Sequence, residues 1–159
     1  MNRVPNRRIS ERALTVWRLY GMIYSIIIGI IAIASIVLTI IFDWPYWISI
    51  IAVLFTILYA ILFIRIIPYI RWRRWRYEVR EQEIELQHGV IIIKRTLVPM
   101  VRVQHVDTVQ GPILRKYKLA TITISTAATT HEIPALDMYE ADELRDSISS
   151  LARVAEDDV

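Results

Sequence analysis

The sequence contains no cysteine, only four glycines and only three histidines. Without cysteine there are no disulfides and no thiolate metal ligands, and the redox compartment stays undetermined. The glycines form no phosphate-binding loop, the histidines stand in no metal-ligand spacing, and no Ser-His-Asp constellation is suggested. We therefore expect no catalytic residue, no metal site and no cofactor.

Lysine is absent from the first half of the chain, and acidic residues are scarce there. Residues 1–76 hold ten arginines against Glu11 and Asp43, a balance of +8, whereas residues 77–159 hold nine basic and fourteen acidic residues, a balance of −5. The hydrophobic fraction of 55% exceeds the roughly 45–50% of soluble proteins. The sequence predicts two physically different parts joined near Tyr77, with the first part in lipid.

Charge is also missing from two long apolar runs, 24 residues at Leu19–Phe42 and 21 residues at Trp44–Ile64. About 20 apolar residues cross a bilayer, whereas buried strands are only about 4–8 residues long. A second run follows the first at once, which a cleavable signal peptide does not explain. We predict a two-helix transmembrane hairpin at residues 17–69, with spans at about 18–42 and 44–67 and an outer turn at 43–46.

Arginines lie at one side of this hairpin only. Five end or follow the second span, and the turn FDWPYW has none. Five others precede the first span: Arg3, Arg7, Arg8, Arg12 and Arg18. By the positive-inside rule, we predict a multi-pass membrane protein with both termini in the cytoplasm. Residues 1–16 are then a basic cytoplasmic segment.

Tryptophan and arginine alternate at residues 70–76, directly after the second span. Indole rings favour the headgroup layer and guanidinium groups meet lipid phosphate, so we interpret this stretch as an interfacial segment and not as a nucleic-acid groove. A simpler alternative is that the arginines only fix the topology. The predicted membrane-interface residues are Trp17, Arg18, Tyr69, Arg71, Trp72, Arg73, Arg74, Trp75 and Arg76.

Small residues recur at helical spacing within both spans. The two predicted helix-packing faces consist of Gly21, Ser25 and Gly29 on the first span and Ser49, Ala52, Thr56 and Ala60 on the second. Small faces let helix backbones approach closely in lipid. They either pack against each other or receive a partner's helix. Neither uncharged run contains an acidic or basic residue, so we expect no proton relay or ion path here.

Residues 77–155 alternate between apolar and polar side chains, which predicts about six or seven short antiparallel strands. Gly89 is predicted to form a turn that leads directly into a strand at VIIIKRTL. The stretch DMYEADELRDSISSLARV has helical periodicity, and Asp137 with Glu140 resembles a capping box. The predicted fold is a membrane hairpin followed by an all-β barrel or sandwich with a C-terminal amphipathic helix. Residues 156–159 are expected to be an acidic frayed tail.

The run LVPMVRVQHVDTVQGPILRKYKLATITISTAA resembles the bacterial PH-like membrane proteins of the YdbS type. The matching positions are Val98, Pro99, Val103, Gln104, Val106, Gln110, Leu114, Arg115, Leu119 to Thr121, Thr126 and Ala127. The resemblance implies a PH-like domain without catalytic residues and a hetero-complex with a larger membrane protein that bears several such domains. Lys118 departs from the pattern, because glycine is expected there; a loop without that glycine should differ locally.

The sequence RKYK places three cations around an aromatic ring in an otherwise acidic domain. Its residues Arg115, Lys116, Tyr117 and Lys118 are candidates for contact with a phosphate headgroup or an acidic partner. The simpler alternative is a solvated turn whose cations balance neighbouring acids. The domain's negative balance argues against a general attraction to anionic lipid.

The leading hypothesis is a non-enzymatic membrane scaffold that contacts membrane lipids and assembles with another membrane protein of the same family. A homo-oligomer stays open as well, and no nucleic acid is expected. Envelope protection against membrane-active peptides is a hypothesis about its physiological role that is not based on particular residues. The alternative function is a lipid-sensing or lipid-handling module at the inner membrane face.

Overall fold

The computed structural model describes residues 5–157, which form two compact units. One unit is the helical hairpin at residues 17–70. The other is a domain in which residues 5–16 come together with residues 71–157. Arg3, and the final residues Asp158 and Val159 of the predicted tail, lie outside the described residues.

Two long helical segments confirm the predicted apolar helices. Helix α1 is Arg12–Phe42, and the second segment runs from Tyr46 to Arg74. The second segment consists of helix α2 (Tyr46–Ala60), a π-helical stretch (Ile61–Ile66) and helix α3 (Ile67–Arg74). Their most apolar windows are only 11% and 0% buried, so they expose apolar side chains along their length, as lipid-facing helices do.

The turn between the helices consists of residues 43–45, and α2 begins at Tyr46. Asp43 closes α1 in the left-handed conformation, with φ of 53°. The amide of Trp44 donates a hydrogen bond to the carbonyl of Thr39 at 3.2 Å, which satisfies one of the free carbonyls at the helix end. Asp43 therefore ends the helix through its backbone conformation.

The domain contains two antiparallel sheets. The first has the order β1-β2-β3-β4 and the second the order β5-β6-β7. Their strands are β1 (Arg7–Arg8), β2 (Arg76–Val79), β3 (Glu83–His88), β4 (Lys94–Pro99), β5 (Val103–Val109), β6 (Leu119–Thr126) and β7 (Thr130–Asp137). A short 3-10 turn joins β4 to β5, and the short helix α4 (Pro112–Lys116) joins β5 to β6. The sheets share no ladder within the described residues, so no barrel closure is seen there.

The core follows the predicted alternation. Tyr77, Ile84 and Leu86 are buried on one face of β2 and β3, and Val79 is half-buried. The C-terminal helix α5 (Met138–Asp157) packs against β5, β6 and β7. Its buried side chains include Ala141, Leu144 and Ile148, which recur at helical spacing. This helix extends through Asp157, into the first residues of the predicted tail.

The N-terminal segment differs from the separate basic stretch expected at residues 1–16. Strand β1 adds to the edge of β2, with Arg7 opposite Tyr77. Ile9 is 2% exposed, and the amide of Ser10 donates to the carbonyl of Ala135 at 3.3 Å. The described part of this segment is therefore an edge of the folded domain, although it is far from the other strands in sequence.

The connection between β3 and β4 also differs from the expectation, because β4 begins only at Lys94. Gly89 has φ of +130°, and a Cβ atom there would lie 1.9 Å from the carbonyl oxygen of Ile92. Only glycine fits this tight return of the chain. Residues 89–93 consequently form a loop, and the predicted strand starts four residues later than VIIIKRTL.

Candidate functional site

The backbones of the two hairpin helices approach closely at Gly21. A Cβ atom on Gly21 would lie 2.4 Å from the carbonyl oxygen of Phe63, which belongs to the π-helical stretch. No side chain fits in that space. Gly29 has more room, since its nearest neighbour would be Thr56 Cγ2 at 3.9 Å.

Hydroxyl groups connect the two hairpin helices near the turn. Thr39 Oγ1 and Ser49 Oγ share a hydrogen bond of 2.7 Å, and Ser49 also donates to the carbonyl of Ser35 at 3.4 Å. Ser25 and Thr56 instead donate to carbonyls of their own helices. Ala52 and Ala60 are half-buried. Sequence analysis missed Ser35 and Thr39, although hydroxyl spacing on α1 is the signal that could have found them.

Two guanidinium groups line one open groove in the hairpin. Arg18, Arg65 and Tyr69 surround this groove of about 680 Å³ together with isoleucines, and no acidic residue lines it. Arg18 and Tyr69 were predicted as interface residues, whereas Arg65 was used only to predict the orientation of the hairpin. Such a set of donors can hold a phosphate group.

Trp72 contacts the N-terminal strand. Its Nε1 donates to the carbonyl of Ile9 at 3.3 Å, and the guanidinium carbon of Arg8 lies 5.9 Å from the ring centroid. Arg76 also reaches this segment and donates to the carbonyl of Pro5 at 3.5 Å. Two of the predicted interface residues therefore also hold residues 5–9 to the domain.

Trp75 lies inside the domain, which differs from its expected place in the headgroup layer. Its ring is 4% exposed and stacks on His88 at 5.9 Å. Burial lowers the pKa of His88, and the charges of Lys94, Arg71 and His131 lower it further. The neighbouring Arg74 donates a hydrogen bond to the carbonyl of Val90. Arg71 and Arg73 are exposed, and their place at the membrane interface stays a prediction.

The predicted RKYK cluster forms the end of α4 and the turn before β6. Arg115, Lys116 and Lys118 are exposed, and Tyr117 is half-buried. Lys118 takes φ of +54°, and its carbonyl accepts a hydrogen bond from the amide of Met138 at 3.1 Å. The loop therefore keeps the left-handed turn without glycine, which corrects the expectation that the loop would differ. No ion pair engages these cations within residues 5–157.

The acidic residues of β2 and β3 are paired with arginine. Arg80 contacts Glu83 at 2.7 Å and both Glu78 and Glu85 at 3.2 Å, and Arg95 lies 3.7 Å from Glu85. These acids thus share one charge network on the surface. Over the described residues, no group of histidines and acids is arranged to hold a metal ion.

A second open groove, of about 820 Å³, lies between β4 and β5. Each of these strands is an edge of its sheet, so neither pairs with a further strand on this side within residues 5–157. Leu97 and Val101 line the groove and are half exposed. Arg102, His105 and His131 supply its polar and basic groups, and no acidic residue lines it. We refer to it as the edge-strand groove.

These features define a membrane protein with two apolar helices and a PH-like domain. The chain belongs to the bacterial PH domain family, whose model matches residues 14–152. It is 55% identical to the UPF0699 transmembrane protein YdbS of Bacillus subtilis (strain 168) over 159 residues, which is the full length of both chains. The comparisons confirm the resemblance noted from the sequence and support a membrane location.

A second relative comes from the same organism. The UPF0699 transmembrane protein YdbT is 26% identical over 83 residues, which are 50% of this chain and 17% of YdbT. Most of YdbT therefore lies outside the match. No solved structure matches the chain.

Proposed function

We propose that this protein is a non-enzymatic, membrane-anchored interaction subunit that assembles with a larger membrane protein of the same family. The edge-strand groove carries the proposal, because it combines two unpaired strand edges with exposed apolar side chains. An unpaired edge can accept a strand from another chain, and a groove can accept a helix. The groove has basic and no acidic lining groups, so it suits a neutral or acidic partner segment.

The partner we propose is a longer protein with related domains. The support is that two family relatives of very different length, YdbS and YdbT, occur in one organism. The exposed cations at Arg115, Lys116 and Lys118 offer a second surface for acidic groups of such a partner. The small residues of the hairpin are proposed to pack within the hairpin, since Gly21 already lies against Phe63.

Site-specific photo-crosslinking tests the assembly. A photoreactive residue at Val101, in the edge-strand groove, should crosslink to the larger family member in cells that make both proteins. The matched control is Ser150, which is exposed on α5 outside the groove. Equal crosslinking from both positions, or none from Val101, would contradict the proposal. A product of two copies of this chain would indicate a homo-oligomer instead.

The orientation we propose places both termini and the domain in the cytoplasm. Its support is the arginine distribution around the hairpin. Because the chain has no cysteine, one introduced thiol can be labelled alone. Tyr46→Cys should react with an impermeant maleimide in intact cells, and Ser150→Cys only after permeabilisation. The reverse pattern would overturn the orientation.

Envelope protection against membrane-active peptides is the physiological role we propose for such an assembly. The support is its place in the membrane that these peptides attack. Cells that lack the protein should be more sensitive to a panel of membrane-active peptides than wild-type cells. Equal resistance across the panel would remove this role while leaving the assembly proposal intact.

A lipid-handling function is a second candidate, favoured by the groove of Arg18, Arg65 and Tyr69. Purification in a mild detergent followed by mass analysis separates the two functions. A bound protein in fixed proportion supports the interaction subunit, whereas a retained phospholipid that is lost in an Arg18→Gln/Arg65→Gln variant supports lipid handling.

A further inference from the structure

Three consecutive isoleucines form the exposed tip of the loop between β3 and β4. Ile91, Ile92 and Ile93 are 91%, 81% and 52% exposed. Other large apolar side chains on the surface of the domain, such as Tyr139 and Val154, stand singly in the sequence. A contiguous exposed apolar cluster is costly in water and marks a surface that is covered in the working protein.

The loop that presents this isoleucine tip is held in place on its N-terminal side. Gly89, with its φ of +130°, brings the backbone back against the carbonyl of Ile92. Arg74 donates to the carbonyl of Val90, and Trp75 stacks on His88 just before the loop. The isoleucines are therefore exposed by a defined backbone conformation.

The surroundings of the isoleucine tip are basic. No acidic residue occurs between Glu85 and Asp107 in the sequence, whereas Lys94 follows the tip directly and is exposed. The pKa of His88 is lowered first by burial and then by the charges of Lys94, Arg71 and His131, which indicates a locally positive field. An anionic surface is favoured next to this tip even though the domain as a whole is acidic.

We propose that Ile91, Ile92 and Ile93 insert into the interfacial layer of the bilayer that holds the hairpin, giving the domain a second membrane attachment. Apolar tips flanked by cations bind at the boundary of headgroups and acyl chains, where lysine meets phosphate. The loop accepts a hydrogen bond from Arg74. Arg74 lies only four positions after Ile70, the last residue of the hairpin. The tether keeps lipid at a high effective concentration near this loop.

A bilayer fits this tip better than a partner protein does. The tip is a narrow loop of three aliphatic side chains without an aromatic residue or a pocket, whereas protein interfaces concentrate aromatic anchors in pockets. The edge-strand groove has the shape expected of a protein contact, and neither Ile91 nor Ile92 lines it. The insertion does not depend on the proposed partner and can be tested without it.

Depth-dependent fluorescence quenching on the full chain tests the insertion. The variant Ile92→Cys, the only thiol in the chain, is labelled with an environment-sensitive fluorophore and reconstituted into vesicles of phosphatidylcholine and phosphatidylglycerol. Lipids with a quencher on the acyl chain should quench this label strongly, and aqueous iodide should quench it weakly. The same label at Ser150→Cys should show the opposite pattern. Equal iodide quenching at both positions would overturn the proposal.

A second variant separates insertion by the isoleucines from mere nearness to the membrane. Ile91→Ser and Ile93→Ser, added to Ile92→Cys, change exposed side chains and should leave the melting temperature of the domain unchanged. Lipid quenching of the label should fall by more than half. Unchanged quenching would show that the isoleucines do not hold the loop in lipid. A label at Ile92→Cys that is shielded only when the larger family member is present would mean that a protein covers the tip, and it would also overturn the proposal.

Discussion

The hydroxyl group of Tyr77 donates a hydrogen bond of 2.6 Å to Glu140 Oε1, and this bond joins the first core residue of β2 to helix α5. The Tyr77 side chain is fully buried. Burial raises its pKa, and the hydrogen bond and charge of Glu140 raise it further. The two residues are 63 positions apart, so the bond fixes the closing helix against the start of the domain.

Tyr77→Phe should destabilise the domain by roughly 1–2 kcal/mol, because it removes a hydrogen bond to a charged group and leaves the half-buried Glu140 without that partner. The melting temperature of the full chain in detergent, followed by tryptophan fluorescence, measures the change. Glu140→Gln should destabilise the Tyr77→Phe variant less than it destabilises the wild type. Strictly additive losses would mean that the two groups do not interact.

From the raised pKa of Tyr77 we predict a loss of stability at alkaline pH. Its pKa is raised in the folded state, so its contribution to stability is complete below the unfolded pKa of about 10 and decreases as the pH rises above that value. Unfolding midpoints in urea at pH 9 and at higher pH should show this decrease. The Tyr77→Phe variant should show a smaller dependence over the same range, and an equal dependence in both proteins would contradict the assignment.

The helices and most strands could be predicted because their signals are local. Two uncharged runs defined α1 and the second helical segment, and alternation placed Tyr77, Ile84 and Leu86 in the core. The π-helical stretch at Ile61–Ile66 has no comparable signal. It lies where Gly21 meets Phe63, a contact made across the hairpin.

Long-range contacts account for what was not predicted. Strand β1 has only two residues, Arg7 and Arg8, and it gains its pairing from β2, about seventy positions away. Trp75 lies in a sequence that is typical of a membrane interface, yet its ring stacks on His88 in the core. The isoleucine tip consists of β-branched residues, which are typical of a strand, but the turn at Gly89 makes the strand begin after them. In the first two cases a tertiary contact overrides a local preference, and in the third the turn at Gly89 does so locally.

His88 predicts a loss of stability on acidification. Its pKa is lowered in the fold by burial and by Lys94, Arg71 and His131, so the unfolded chain binds a proton more readily. Stability is therefore complete above the unfolded pKa of about 6.5 and falls as the pH drops below it. His88→Phe keeps a ring against Trp75 and removes the titration. Thermal unfolding between neutral pH and about pH 5 should be less pH-dependent in the variant, and an unchanged dependence would assign the effect elsewhere.

Lys118 predicts a stabilising substitution. A non-glycine residue in the left-handed conformation is strained by about 1–2 kcal/mol, and glycine avoids this strain. Glycine also loses more backbone entropy on folding, which offsets part of the gain. Lys118→Gly should therefore raise stability by roughly 0.5–1 kcal/mol. Lys118→Ala is the control, because it removes the charge and keeps the Cβ atom. A gain of equal size in both variants would point to charge and not to the backbone φ of 54°.

Ile9 tests whether the N-terminal segment belongs to the domain. Its side chain is 2% exposed, and removing a buried isoleucine costs about 2–5 kcal/mol. Ile9→Ala should thus lower the melting temperature of the domain, whereas Asn6→Ala, an exposed neighbour, should not. For the same reason, a fragment of residues 71–159 alone should unfold at a lower temperature than the domain does in the full chain. Equal stability of fragment and full chain would show that residues 5–16 are dispensable for folding.

Gly21 and Gly29 form a matched pair for testing the hairpin. Gly21→Ala would place a Cβ atom 2.4 Å from the carbonyl oxygen of Phe63, and a backbone atom cannot rotate away as a side chain can. Gly29→Ala adds a methyl group at 3.9 Å from Thr56, which is an ordinary contact. The first variant should therefore force the helices apart and the second should not.

Melting temperatures measure this difference, and disulfide crosslinking across the hairpin provides the control, because every thiol in this cysteine-free chain must be introduced. A cysteine pair at Thr39 and Ser49, whose hydroxyl oxygens are 2.7 Å apart, reports on the turn end, which should stay closed in both variants. Detergent melting temperatures, measured without the cysteines, should fall for Gly21→Ala and stay near the wild-type value for Gly29→Ala. Equal losses in the two variants would mean that close backbone packing at Gly21 does not hold the hairpin together.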